Sequence, residues 1–249
     1  MRARRFRVSQ LDADVIHVTG PEAVHALRVL RLEVGAPVEL FDGRGAEVQG
    51  RIVATQPDSF DVRAERVRPG PVEGWGLVLA VAAPKGERGD WMVEKCAELG
   101  ARAIVLIETK RGLVVPGEGK LARWRRKASE AAKQSGHSHL LEIGDPVPIA
   151  RVGEIAQTSV GFFGDLSTDA ASLIDSLQQL RGTGVAPGRA VIYIGSEGGW
   201  TDEETGLLRT IGARAVRMAG GVLRVETAAV CAASAWAGVF LNQDDQPTV

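Results

Sequence analysis

From residue 76 onward the chain alternates between short, continuous apolar runs and amphipathic segments. "LVLAVAA" precedes "DWMVEKCAELG", "AIVLIE" precedes "KLARWRRKASEAAKQ", and "SVGFFGDL" precedes "DAASLIDSLQQL". "AVIYIG" then precedes "TDEETGLLRTIG", and "ARAVRM" precedes "RVETAAVCAASAWAGVFL". A strand that is apolar throughout needs cover on both faces, so this rhythm predicts an α/β domain with a mostly parallel sheet between helices. Gly100 and Gly212 stand where helix C-caps belong. Thr201 and Glu204 have capping-box spacing, which predicts a helix starting near Asp202.

The first 70 residues follow a different rule. "RFRV", "DVIHV", "PVELFD", "AEVQGRIV" and "SFDVRAERV" are short, often alternating runs separated by Gly, Pro and Asp. They predict a small β-barrel. One helix interrupts them, "PEAVHALRVLR", with Pro21 in its first turn. "RPGPVEGWG" reads as a linker. The expected organisation is a barrel over 1–70, a linker over 71–76 and an α/β domain over 77–249, with a frayed tail "NQDDQPTV".

The apolar runs are short for a membrane span or rich in alanine, and no signal core follows the basic start, so a cytoplasmic protein is expected. Cys96 and Cys231 read as packed thiols. The net charge of −1 over 249 residues argues against a purely electrostatic nucleic-acid binder. Positive charge is nevertheless gathered in two places. One is Arg2, Arg4, Arg5 and Arg7; the other is Lys110, Arg111, Lys120, Arg123, Arg125, Arg126 and Lys127. These are either solvated basic faces or the footprint of a polyanion.

Three glycine-bearing junctions follow strand-like runs: "GFFGDLSTD", "IGSEGGWTDEE" and "MAGGVLRVETA". In open α/β sheets ligands bind at such strand ends. The middle loop has neither a Walker lysine nor G-x-G-x-x-G spacing. Glu197, Asp202, Glu203 and Glu204 suit the helix dipole there and would repel an anion. That combination points to a ligand without phosphate, such as S-adenosylmethionine (SAM), with glycines letting the backbone approach an adenine. The plain alternatives are a tight turn before a capped helix, and a flexible connection in which Arg224 and Glu226 pair locally.

Taken together, "HALRVLRLEVG", "LFDGRG", "EKCAELGARAIVLIETKR", "ASEAAKQSGHSHLLEI", "IGSEGGWTDEE" and "GGVLRVETAA" resemble the RsmE family of 16S ribosomal RNA (uracil-N3)-methyltransferases, in the SPOUT superfamily. The similarity runs in order over nearly the whole chain. It implies a PUA-like RNA-binding barrel followed by a SPOUT domain with a deep trefoil knot, working as a homodimer on 16S rRNA of the small ribosomal subunit. The resemblance puts SAM against Gly164 and Leu166, against Ile194, Gly195, Glu197, Gly198 and Gly199, and against Met218, Gly220 and Leu223. It assigns RNA contacts to Arg4, Arg5, Arg7, Arg28, Arg31, Arg123, Arg126, Gln134 and His137. The Ala- and Gly-rich last helix suits either a dimer contact or internal packing.

The sequence departs from the family pattern at particular residues. Ser196 stands where proline is usual. Met218, Ala219 and Gly221 alter the third loop while Arg224 remains. His137 replaces an arginine and Leu141 a proline. His137 and His139 lack a third ligand, so they read as RNA contacts, and no metal is expected. Uracil N3 must lose its proton before it can attack. Arg224 is the candidate cation for the imide anion, and Glu226 or a water the candidate proton acceptor. Phe6 and Trp124 are candidates for stacking on bases, or for the core. Two other readings remain: a SAM-dependent enzyme acting on a different RNA site, and an RNA-binding assembly factor without catalysis.

Overall fold

The computed structural model describes residues 3–68, 76–112, 114–155, 159–167, 169–183 and 189–240. Arg2, the expected linker except Gly76, and the tail beyond 240 lie outside the described residues. The chain forms two compact units, Met1–Val72 with Ala132–Leu140, and Glu73–Ala131 with Leu141–Val249. Among the described residues no helix is long and apolar enough to cross a membrane.

The first unit is a curled five-stranded sheet. Its strands are β1 (Arg4–Arg7), β2 (Val15–Thr19), β3 (Pro37–Phe41), β4 (Glu47–Thr55) and β5 (Ser59–Arg68), in the order β1-β3-β4-β5-β2. β1 and β3 are parallel and the other pairs antiparallel. Strand alternation sends Phe6, Ile16, Val18, Leu40, Val48 and Phe60 inward, where Ala23 and Ala26 of the intervening helix close the core. That helix, α1 (Gly20–Val24), widens into a π-helical turn over His25–Val29. Gly50 marks a register shift between β4 and β5; a Cβ there would lie 2.3 Å from the Arg63 carbonyl oxygen, so no side chain fits.

The second unit is the parallel sheet. Its strands are β6 (Gly76–Ala82), β7 (Ala103–Glu108), β8 (Glu142–Ile143), β9 (Val147–Pro148), β10 (Ser159–Gly164), β11 (Ala171–Ser172), β12 (Arg189–Ile194) and β13 (Arg214–Arg217). The order is β11-β13-β10-β12-β6-β7-β8, with β9 also on β7, and every pair is parallel. The helices are α2 (Arg88–Glu98), α3 (Glu118–Ser135), α4 (Val152–Ile155), α5 (Leu173–Gly182), α6 (Asp202–Thr210) and α7 (Val225–Phe240).

Pleating explains why β6 is apolar throughout. Leu77, Leu79 and Val81 join a core built with α2, α3, α5 and α7. Val78 and Ala80 join the opposite core with Val152 of α4 and Leu208 of α6. Each of these leucines and valines contributes about 1.5–3 kcal/mol on burial. α7 packs against both α2 and α5 with Ala228, Ala229, Ala232, Ala233 and Trp236 buried. Gly100 and Gly212 take φ of +75° and +80° directly after the C-caps Leu99 and Ile211 and so end α2 and α6.

Candidate active site

Parallel strands end on one edge of a sheet, so the segments following β13, β10, β12 and β6 are neighbours. Short contacts tie three of them together. Asp165 N donates to the Val216 carbonyl at 2.9 Å, and the Trp200 indole N–H donates to the Gly164 carbonyl at 3.0 Å. The same indole covers Gly195, where a Cβ would come within 3.0 Å of the ring. A Cβ on Gly164 would lie 2.9 Å from Met218 Cε. Gly199 turns the middle loop with φ +70° and donates to the Ser196 carbonyl at 2.8 Å.

Two cavities open on this edge. One of about 700 Å³ is lined by Lys85, Gly86, Glu87 and Arg88 after β6, Glu197 after β12, and Val222, Leu223 and Arg224 after β13. The other, about 330 Å³, includes Ala83, Pro84, Lys85, Arg111, Ser196, Glu197, Gly198 and Val225. The Ser196 hydroxyl is buried with no partner in the protein. Open space lies where a Cβ would stand at Gly199, Gly220 and Gly221. An orphan hydroxyl and bare backbone fit a ligand that packs on main chain, as an adenosine does.

Of the residues expected at the cofactor, Gly164, Gly195 and Met218 are brought into one cluster, and Glu197, Gly198 and Leu223 line the cavities. Ile194 is buried, Gly199 and Gly220 are exposed at the loop tips, and Leu166 is exposed beyond β10. Arg224 is exposed on the larger cavity. The Glu226 side chain is only 8% exposed, with Arg88 Nε 3.6 Å away, and it lines neither cavity. Glu226 thus pairs with Arg88, and not with Arg224 as in the plain alternative for this loop. Lys85 and Arg88 were missed by sequence reasoning. Their signal was "APKGERGD", another Gly- and Pro-bearing junction directly after an apolar strand.

The acidic residues of the middle loop do not form the anion-repelling cluster expected from sequence. Glu204 is 1% exposed: its carboxylate accepts from its own N-cap at Thr201 N (2.8 Å) and from Lys110 N (2.7 Å). Thr201 Oγ1 returns the bond to Glu204 N, completing the capping box. Glu203 pairs with the Lys110 ammonium, which that hydrogen bond holds above the usual lysine range. Glu197 faces Lys85 at 3.8 Å and Arg88 at 3.4 Å. Glu197 and Glu203 are therefore matched by cations and Glu204 by backbone amides, so these three carboxylates give no ground for excluding a phosphate ligand.

The expected RNA contacts separate by burial. Arg4, Arg7, Arg28, Arg31 and Gln134 are exposed in the first unit, and His137 is half-buried. Arg5 is turned inward, 7% exposed, between Glu39 and Glu47, with Ser138 Oγ at 3.0 Å and the Phe41 ring below it. Phe6 and Trp124 are fully buried, which rules out stacking on bases. The Trp124 indole donates to Asp90 at 2.8 Å and packs on Gly89. In the second basic cluster Arg123 pairs with Asp90, Arg125 with Glu118 and Asp145, and Lys127 with Glu94, while Arg126 is exposed. Within the first unit "LFDGRG" and "QSGHSHLL" meet: Gly45 N donates to the Ser138 carbonyl and Leu140 N to the Gly43 carbonyl, both at 3.0 Å. Among the described residues no group of three or more His, Cys, Asp or Glu could hold a metal ion.

Residues 73–237 match the family model described as an RNA methyltransferase domain, and residues 18–65 match an RNA methyltransferase PUA domain. The chain belongs to the RNA methyltransferase family. This RNA methyltransferase is 30% identical, over 92% of its length and 87% of the relative's, to a Mycobacterium bovis protein named Ribosomal RNA small subunit methyltransferase E. A Synechocystis protein of the same name is 29% identical over 88% of this chain and 71% of its own. Among solved structures, a Legionella pneumophila protein described as a methyltransferase and bound to SAM superposes with TM-score 0.77. It is 26% identical, covering 96% of this chain and 98% of its own.

Proposed function

We propose that this RNA methyltransferase uses SAM to methylate N3 of a uridine in 16S rRNA of the small ribosomal subunit. The observation that carries this reading is the meeting of the three glycine loops around Gly164, Gly195 and Met218 on one sheet edge, in a chain whose relatives bear that rRNA methyltransferase name. When bound, SAM supplies a methyl group on a sulfonium, whose departure as a neutral thioether makes the transfer downhill. Gly164, Gly195, Gly198, Gly199, Met218, Gly220 and Leu223 are the proposed donor contacts, and the Ser196 hydroxyl gains a partner there. Ile194 backs the site, and Leu166 would close over it.

The protein's remaining task is to hold an unpaired uridine in line with the methyl carbon and to manage the N3 proton. Arg224, exposed on the 700 Å³ cavity, is proposed to face the developing imide charge. The exposed Arg4, Arg7, Arg28 and Arg31, with Gln134 and His137, are proposed to hold phosphates, and so, on the second unit, are Arg123 and Arg126. We propose a homodimer as the working form. α7 turns its larger side chains inward and leaves the small Thr227, Ser234 and Gly238 exposed, suited to close packing by a second copy. An rRNA substrate puts the enzyme in the cytoplasm.

The half-buried His137, standing where an arginine is usual, favours a second reading in which the same chemistry is directed at another RNA site. Purified protein incubated with SAM and small-subunit RNA, followed by digestion and mass spectrometry, separates them. 3-Methyluridine at one position supports the proposal; a different methylated nucleotide favours the second reading; no methylation and no SAM binding by calorimetry would refute both.

A further inference from the structure

Glu197 lines both cavities. Unlike Glu204, it serves no helix cap; its side chain is 47% exposed. Its oxygens stand 3.8 Å from Lys85 Nζ and 3.4 Å from Arg88 Nη1. Both distances exceed the usual hydrogen-bond range of about 2.7–3.2 Å. They are loose, solvent-facing ion pairs that contribute little to stability. A substrate can therefore enter this trio at the expense of one long, exposed hydrogen bond, from Arg88 to Glu197. Glu226, the acceptor that sequence suggests, is deeper and lines neither cavity.

The geometry points to Glu197 as the proton acceptor for the target base, with Lys85 and Arg88 receiving the charge that spreads onto its carbonyl oxygens. This rests on the function proposed above and adds residues to it. The Watson–Crick edge of uracil reads carbonyl, N3–H, carbonyl. A carboxylate flanked by two cations is its complement in charge and in hydrogen bonding. Cytosine has no proton on N3 and puts an amino group where one carbonyl stands, so it would leave the carboxylate without a proton to accept and face one cation with a donor. In the step itself the N3–H bond breaks and the proton passes to a Glu197 oxygen. The N–H electron pair stays on N3 and forms the bond to the methyl carbon, as that carbon's bond to sulfur breaks with its pair left on sulfur. The negative charge of the carboxylate and the positive charge of the sulfonium vanish together.

The test is Glu197→Gln, with Glu197→Asp as a carboxylate-preserving partner, both checked for native folding by circular dichroism. Single-turnover transfer to small-subunit RNA is read with SAM affinity by calorimetry. Glu197→Gln should slow transfer by about 10²–10⁴-fold, the usual contribution of a positioned acid or base. Its SAM dissociation constant should stay within about threefold of the parent's, a change of less than about 1 kcal/mol. Glu197→Asp should transfer faster than Glu197→Gln. The deficit of Glu197→Gln should shrink as pH rises, because the imide then ionises unaided. The other charged residues lining the two cavities are Lys85, Glu87, Arg88, Arg111 and Arg224, of which Lys85 and Arg88 face the Glu197 carboxylate, and none of them is changed by either variant. A Glu197→Gln rate close to the parent's, a deficit constant with pH, or loss of SAM binding along with the rate would overturn the assignment. A parent protein that makes no 3-methyluridine overturns the proposed function and this inference with it. An active parent beside an unimpaired Glu197→Gln overturns the inference alone.

Discussion

Glu204→Ala should destabilise the parallel-sheet unit while leaving SAM affinity unchanged. The carboxylate is 1% exposed and accepts from two backbone amides, Thr201 N at 2.8 Å and Lys110 N at 2.7 Å. A hydrogen bond to a charged group contributes about 1.5–3 kcal/mol, and a lost cap costs about 1 kcal/mol. Thr201 Oγ1 keeps its own bond to the residue 204 amide, and water can reach part of the vacated space, so the net loss is about 2–4 kcal/mol. For a chain of this size that lowers the melting temperature by on the order of 5–15 °C. Glu203 supplies the internal control. Its pair with Lys110 is solvent-exposed and screened, so Glu203→Ala should cost far less than Glu204→Ala. Denaturant unfolding followed by far-UV circular dichroism reads both, with calorimetry for SAM. An E204A protein as stable as the parent would refute the reasoning, as would equal losses in the two variants.

Other expectations follow from the same contacts. Gly195→Ala forces a Cβ against the Trp200 ring and disturbs its bond to Gly164, so SAM affinity should fall at least about tenfold by calorimetry, about 1.4 kcal/mol. Burial raises the Glu47 carboxyl, but the Ser138 hydrogen bond together with Arg5 and Arg68 outweighs it and holds the group below its usual range. A depressed carboxylate contributes stability above its unfolded pKa and loses it as pH falls through the folded one. Acid unfolding of Glu47→Gln should therefore show a shallower fall with pH below the usual carboxylate range. Burial pushes the Cys96 thiol up to about 12, so in native protein at about pH 8 it should resist thiol reagents and react only on unfolding. Arg5→Ala strips Glu39 and Glu47 of their buried partner and should cost about 3–5 kcal/mol in unfolding experiments.

Periodicity revealed the strands well because each obeys a simple rule. The alternating runs of the first unit became β1 to β5, and the continuous runs became β6, β7, β10, β12 and β13. Gly100, Gly212 and the Thr201–Glu204 box also ended or began their helices as local chemistry requires. The two-residue strands β8, β9 and β11 escaped notice because a pair of residues has no period. The grouping of Ala132–Leu140 with the first unit depends on contacts from Ser138 to Arg5 and from Lys133 to Glu22, more than a hundred residues apart. The site was half legible. Glycine loops after strands could be found by pattern, but which carboxylates are committed to caps and ion pairs depends on partners far away in sequence, as Glu204 and Glu203 with Lys110 illustrate. Phe6 and Trp124 took the core alternative of the two that sequence offered, because a residue next to arginines in sequence can face the opposite side of its strand or helix.

A nucleotide-resolution methylation map of small-subunit rRNA, from cells with and without this gene, bears on the proposed reaction most directly. One 3-methyluridine should disappear in the deletion strain and return when the intact gene is restored. A map unchanged at every uridine N3 would contradict the assignment of this protein to that reaction.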